Sequence, residues 1–139
     1  MITRTLALTA VSTLAFTASA AAAKPKAYSG ASTNKKIYVY GDTDGRTDHG
    51  KVTFRGGSNA VTKFKLKGQA FMCGASPAEI PVAVAKIKLN SSGKGKGTFT
   101  DPNVGAFTIK IKVSNGKSSG TITPTGLCSG KVTFSAKRK

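Results

Sequence analysis

From residue 36 onward, apolar residues recur at every second position in short runs separated by Gly, Asn and Ser clusters. Successive side chains of a strand point to opposite faces, so this period predicts strands with one buried face and one wet face. Ile37 and Val39 alternate with Tyr38 and Tyr40, and Val52 and Phe54 with Thr53 and Arg55. Phe64 and Leu66 alternate with Lys63, Lys65 and Lys67, and Gly68 then lets the chain bend before Phe71 and Cys73. Ala85, Ile87 and Leu89 flank Lys86 and Lys88, and Phe107, Ile109, Ile111 and Val113 alternate with Thr108, Lys110 and Lys112. Ile122 sits between threonines, and Val132, Phe134 and Ala136 alternate with Lys131, Thr133, Ser135 and Lys137.

The separators carry turn chemistry. Asn115-Gly116 is a strong hairpin signal because both residues tolerate positive φ, and Asn90-Ser91-Ser92-Gly93 reads the same way. Ile80, Val82 and Val84 lie on even numbers and Ile87 and Leu89 on odd ones, which places a bulge or bend near positions 83–86. No apolar period of 3.6 persists along the chain, so the fold class is all-β: an antiparallel β-sandwich, or alternatively a small β-barrel.

The N-terminal region breaks the pattern. A basic start at Met1 to Arg4, an apolar run from Leu6 to Ala18 and small residues after it give residues 1–23 the form of a secretory signal peptide. The run is too short and too rich in Ser and Thr to span a bilayer. Residues 24–35 are polar, without periodicity, and read as a flexible N-terminal linker. The domain is then expected over 36–139, exported, with no transmembrane segment after signal removal.

Export changes the reading of the two cysteines. In an oxidising compartment Cys73 and Cys128 pair, and closing the 54 residues between them stabilises the fold by about 4 kcal/mol through loop-closure entropy. A structural zinc site needs four ligands, and the chain has two Cys and one His.

Charge is the strongest compositional feature. The 139 residues hold 22 Lys or Arg and 5 Asp or Glu, a formal net charge of +17. Lys63, Lys65, Lys67, Lys86, Lys88, Lys110, Lys112, Lys131 and Lys137 occupy the parity opposite the apolar residues and are therefore expected on the solvent face. Such a surface attracts anionic extracellular or cell-envelope polymers. Lysine on strand faces also opposes aggregation, so solubility alone is the competing explanation. Most of the basic residues are Lys rather than Arg and Trp is absent, which argues against sequence-specific nucleic-acid recognition.

Three of the five acids, Asp42, Asp44 and Asp48, share one loop with Gly45 and His49. Their spacing matches part of a calcium loop whose first ligand is replaced by Tyr40, so calcium is a candidate cofactor at a weak site only. The alternative is a turn whose carboxylates bond their own backbone and neutralise Arg46 and Lys51. His49 lacks partners for catalysis: no Gly-x-Ser-x-Gly elbow is present, and Glu79 stands alone between Pro77 and Pro81. The chain reads as non-enzymatic. Tyr38 and Tyr40 share a strand face and could offer two rings to a sugar, although strand pairs of this kind more commonly pack in a core.

Val52-Thr53-Phe54, the strand region from Val61 to Cys73, Lys117 to Ile122, and the closing Cys128-Ser-Gly-Lys-Val-Thr-Phe-Ser-Ala-Lys-Arg138 together resemble small exported bacterial β-sandwich proteins of unknown function. Those share two cysteines and a final Cys-x-Gly-x-Val-x-Phe-x-Ala-x-Arg strand. The resemblance covers roughly residues 36–138 and implies the fold and the disulfide; it brings no activity or site residues. The expected function is low-specificity binding of anionic polymers by a secreted module. The rival is a structural or glycan- or calcium-binding β-sandwich in which charge serves solubility only.

Overall fold

The computed structural model describes residues 24–34 and 49–139. Among these, eleven strands form: β1 (Lys26–Thr33), β2 (His49–Gly56), β3 (Ala60–Lys67), β4 (Ala70–Cys73), β5 (Ser76–Glu79), β6 (Val82–Lys88), β7 (Lys94–Asp101), β8 (Gly105–Ser114), β9 (Lys117–Pro124), β10 (Cys128–Ser129) and β11 (Val132–Arg138). Eight of them make one antiparallel sheet in the order β6-β3-β2-β1-β11-β9-β8-β7, and the other three a small sheet, β10-β4-β5. No helix occurs among the described residues, so none is long and apolar enough to cross a membrane. The expected all-β antiparallel architecture is present, and the large sheet curls into a nearly closed barrel.

Closure happens where β6 meets β7. Their connecting turn is tied by Asn90, whose Oδ1 accepts hydrogen bonds from the backbone N–H groups of Ser92 and Lys94 at 2.9 and 3.0 Å. Beyond it a single bridge joins Leu89 to Gly95. The inward positions of β7 at this seam are Gly95 and Gly97, and β6 uses the space they leave. A Cβ on Gly97 would lie 2.8 Å from Ile87 Cγ1, and one on Gly95 would collide with the Lys88 carbonyl oxygen.

The interior is filled by rings. Tyr28 stacks on Phe54 at 4.8 Å, and Phe64 continues the row to Phe134. Phe71 of the small sheet packs edge-on against Phe107 at 4.9 Å, with Phe99 beside it. Val52, Val61, Leu66, Ile87, Ile109, Ile122 and Val132 complete a single buried cluster.

The predicted irregularity in β6 falls where expected. Its inward residues switch from Val82 and Val84 to Ile87, and the pair Lys63 and Ala85 is skipped in the β3–β6 register. Lys63 carries φ 53°, and the β2–β3 register shifts by one residue at the same level. The two strands bend together, so Val61 and Phe64 both reach the core. The Asn115-Gly116 hairpin also forms, with φ values of 53° and 75°.

Residues 26–33 correct the expected linker. They form β1, paired with β2 on one side and β11 on the other. Its inward row is Tyr28, Gly30 and Ser32, with one apolar side chain among three, so the hydrophobic period that marks other strands is missing. Gly30 has no room for a side chain, since its Cβ would collide with the backbone of Ser135. The run expected from Ile37 to Tyr40 lies outside the described residues.

The small sheet closes one end of the barrel. β4 and β5 are inserted between β3 and β6, and β10 between β9 and β11. Cys73 and Cys128 face each other across β4 and β10 and form a disulfide, S–S 2.02 Å. Beneath it, the Ser32 hydroxyl donates to Gln69 Oε1 at 2.7 Å, and Gln69 Nε2 donates to the Ala70 carbonyl at 3.0 Å.

Two outcomes follow from this packing. Replacing Cys73 and Cys128 together by Ala should lower unfolding free energy by about 4 kcal/mol, read from urea titrations of both proteins. Gly95→Ala should cost about 1–3 kcal/mol by overpacking the seam, whereas Gly57→Ala, whose Cβ meets its nearest neighbour at 3.6 Å, should leave the midpoint almost unchanged. Equal midpoints for the two glycine variants would contradict closure by β6 against β7.

Candidate anion-binding surface

Because the barrel has one inside, every strand gives its other parity to solvent. The outer rows differ from strand to strand. On β8 and β7 they carry Lys110, Lys112, Lys94 and Lys96; on β6, Lys86 and Lys88; on β3, Lys63, Lys65 and Lys67; on β2, Lys51 and Arg55, all of them exposed. The outer middles of β1, β11 and β9 are small: Ser29 and Ala31, Thr133 and Ser135, Ser119 and Thr121. Since β6 and β7 meet at the seam, the basic rows form one arc over β8-β7-β6-β3-β2, and the small residues form the opposite wall.

Seven of the lysines expected from the sequence as anion-binding, Lys63, Lys65, Lys67, Lys86, Lys88, Lys110 and Lys112, are brought together on this arc. Lys131 stands apart, just before β11 at the disulfide end. Lys137 faces Lys117 near the other end. Lys94 and Lys96 escape sequence reasoning because glycines hold the alternate positions of β7. The signal was present as Lys-Gly-Lys-Gly-Thr-Phe, a period of two in which Gly takes the inward role.

Register brings like charges into direct opposition. Lys94 faces Lys112 and Lys96 faces Lys110. Lys51 faces Lys67, and Lys117 faces Lys137. Directly opposed side chains have Cβ atoms about 5 Å apart, and like charges there are destabilising by roughly 0.2–1 kcal/mol per pair. Beside the first two pairs runs a shallow groove of about 560 Å³, lined by Lys94, Lys96, Lys110 and Lys112 and floored by Gly120 and Thr121. Lysine stems supply apolar walls while their ammonium groups reach water.

Acids are scarce near this surface. Among the described residues the acids are Glu79 and Asp101, and Asp101 Oδ1 accepts from the backbone N–H groups of Asn103 and Val104 at 2.8 and 3.2 Å. Asp42, Asp44 and Asp48, the candidate calcium ligands, lie outside the described residues, as do Tyr38 and Tyr40. His49 begins β2 on the solvent side. Among the described residues no three His, Cys, Asp or Glu side chains gather where a metal ion would sit.

The chain matches no protein-family model, and no curated protein is similar to it. Of the resemblance drawn from the sequence, the structure bears out the coarse part: a small all-β protein whose two cysteines form one disulfide.

The opposed pairs make a checkable statement about stability. Lys110→Thr relieves the repulsion with Lys96 and should raise stability by a few tenths to about 1 kcal/mol at low salt. At 1 M salt the Debye length falls to about 3 Å and the electrostatic part of the gain should vanish. Urea midpoints of both proteins at the two salt concentrations decide it; a gain of equal size in both would show that repulsion is not its source.

Proposed function

We propose that this chain is a secreted, non-enzymatic module that binds anionic cell-surface or extracellular polymers with low specificity through its lysine arc. The observation that carries the reading is the set of directly opposed lysine pairs. Solubility needs charge but gains nothing from placing two ammonium groups on facing positions, whereas a polyanion lying across β7 and β8 turns each repulsive pair into a doubly contacted site. The arc holds most of the exposed basic residues of the strands, and the field they create draws a polymer toward it.

Lysine presents a hydrated point charge rather than a planar fork, so the contacts are tolerant of ligand geometry. Binding of this kind releases counterions and weakens steeply with salt. The test uses a single-stranded oligonucleotide as a generic polyanion. The variant carrying Lys94→Gln, Lys96→Gln, Lys110→Gln and Lys112→Gln should bind more weakly at low salt. Its slope of log affinity against log salt should be shallower by about 0.7 for each phosphate that the variant no longer neutralises. An unchanged slope would leave the lysines as a solubility device, and binding that resists salt or requires calcium would favour the glycan- or calcium-binding alternative.

A further inference from the structure

The two ends of the barrel differ. One is covered by the disulfide-linked small sheet; the other is rimmed by the β2–β3 turn, the β8–β9 turn, the start of β1 and the end of β11. At this open end the parity rule that sends lysine outward is broken. On β11 the inward row runs Val132, Phe134, Ala136 and then Arg138. On β1 it runs Ser32, Gly30, Tyr28 and then Lys26. Tyr28 and Arg138 are register partners, and so are Lys26 and Gly56. The inward rows thus end in cations directly above the aromatic filling.

These residues border a cleft of about 500 Å³, which Lys24, Lys26, Tyr28, Ser58, Asn115 and Arg138 line. No acidic residue lines it among those described. Its floor is rigid, because Tyr28 is buried against Phe54 and lies over Gly56, where a Cβ would come 2.8 Å from the ring. Arg138 is fixed by its backbone: its N–H donates to the Gly116 carbonyl at 2.9 Å, and the N–H of Lys139 donates to that of Ala27 at 2.9 Å. Its guanidinium rests beside Gly116, whose Cβ would stand 3.5 Å from Cζ.

We propose that the open end of the barrel is a discrete pocket for a phosphate or sulfate group, held by Lys24, Lys26 and Arg138. Arginine supplies a planar fork that meets two oxygens of a tetrahedral oxyanion at once, and the two lysines add charge without demanding a geometry. Tyr28, Ser58 and Asn115 bring neutral hydrogen-bonding groups. The buried Tyr28 ring closes one side of the cleft. The proposal rests on the preceding reading for the class of ligand only, and it differs in kind: the arc is open and tolerant, the pocket bounded and saturable.

The experiment is an NMR titration of the purified chain, following backbone amides, with inorganic phosphate and then with an oligonucleotide bearing or lacking a 5′-phosphate. The amides of Gly56, Gly57 and Gly116 should shift and saturate, and Arg138→Gln should weaken that saturation at least tenfold. Lys26→Gln should weaken it too; the dispersion of each variant's spectrum reports whether it is folded. Preference for the 5′-phosphorylated strand over free phosphate assigns an ester, and equal binding assigns the free ion; either supports the pocket. Shifts that grow without saturating, or an Arg138→Gln variant that binds like the parent, overturn it. If the polymer binds the arc while these amides stay still, the pocket falls alone. If they saturate while polymer binding ignores salt, the arc reading falls alone.

Discussion

Eight strands enclose a space just wide enough for their own inward side chains, and that limit governs where every large residue of this chain can go. Six phenylalanines and Tyr28 occupy the interior, so other inward positions must give way. They do so as glycine. Gly120 leaves room for the Phe134 ring, which a Cβ there would approach to 2.5 Å, and Gly95 and Gly97 leave room for β6. Bulk on one strand is matched by absence of bulk on its neighbour, and the barrel closes because the two were placed at the same level.

The same limit explains why the ends differ. A barrel that packs its interior with rings still exposes the rings at each mouth. At one mouth a short sheet is folded over and held by Cys73–Cys128, with Phe71 as the plug and the Ser32–Gln69 hydrogen bond satisfying polar atoms beneath it. At the other mouth the inward rows stop in Lys26 and Arg138, whose stems can lie over the aromatic layer while their charges stay wet. The covered end depends on a covalent staple; the open end depends on long amphipathic side chains, and only the second leaves a concave surface.

Much of this was legible where apolar residues mark the inward parity. The runs at Phe64–Leu66, Phe107–Val113 and Val132–Ala136 became strands with the faces they announced, and the change of parity between Val84 and Ile87 became a bend opposite Lys63. β1 and β7 were not legible by the same rule, because Gly30, Gly95 and Gly97 stand where an apolar side chain would have given the period. Those glycines are required by contacts to residues distant in the chain, which no local pattern contains. The mouth cations were hidden for a related reason: Arg138 continues the row of Phe134 and Ala136, and its parity was readable, but that this row ends at a rim is a property of the closed barrel. The lysine arc lies between these cases. Each outward lysine was legible singly, whereas their opposition in pairs depends on register.

Register also decides where like charges meet on the surface. At about 0.15 M ionic strength charges interact appreciably only within about 8 Å, so lysines on opposite walls of the barrel scarcely sense one another. Lys94 and Lys112, or Lys51 and Lys67, are direct register partners, a placement in which like charges repel. A surface shaped only by solubility could have spread the same charges over β1, β9 and β11, where Ser, Thr and Ala hold the outer middles. The opposed pairs therefore carry a local energetic cost, which the Ser, Thr and Ala positions at the outer middles of β1, β9 and β11 do not. A ligand with closely spaced negative charges would remove that cost on binding and add relief of repulsion to its own attraction, so that on the proposed reading the stability of the free protein and its affinity would be coupled.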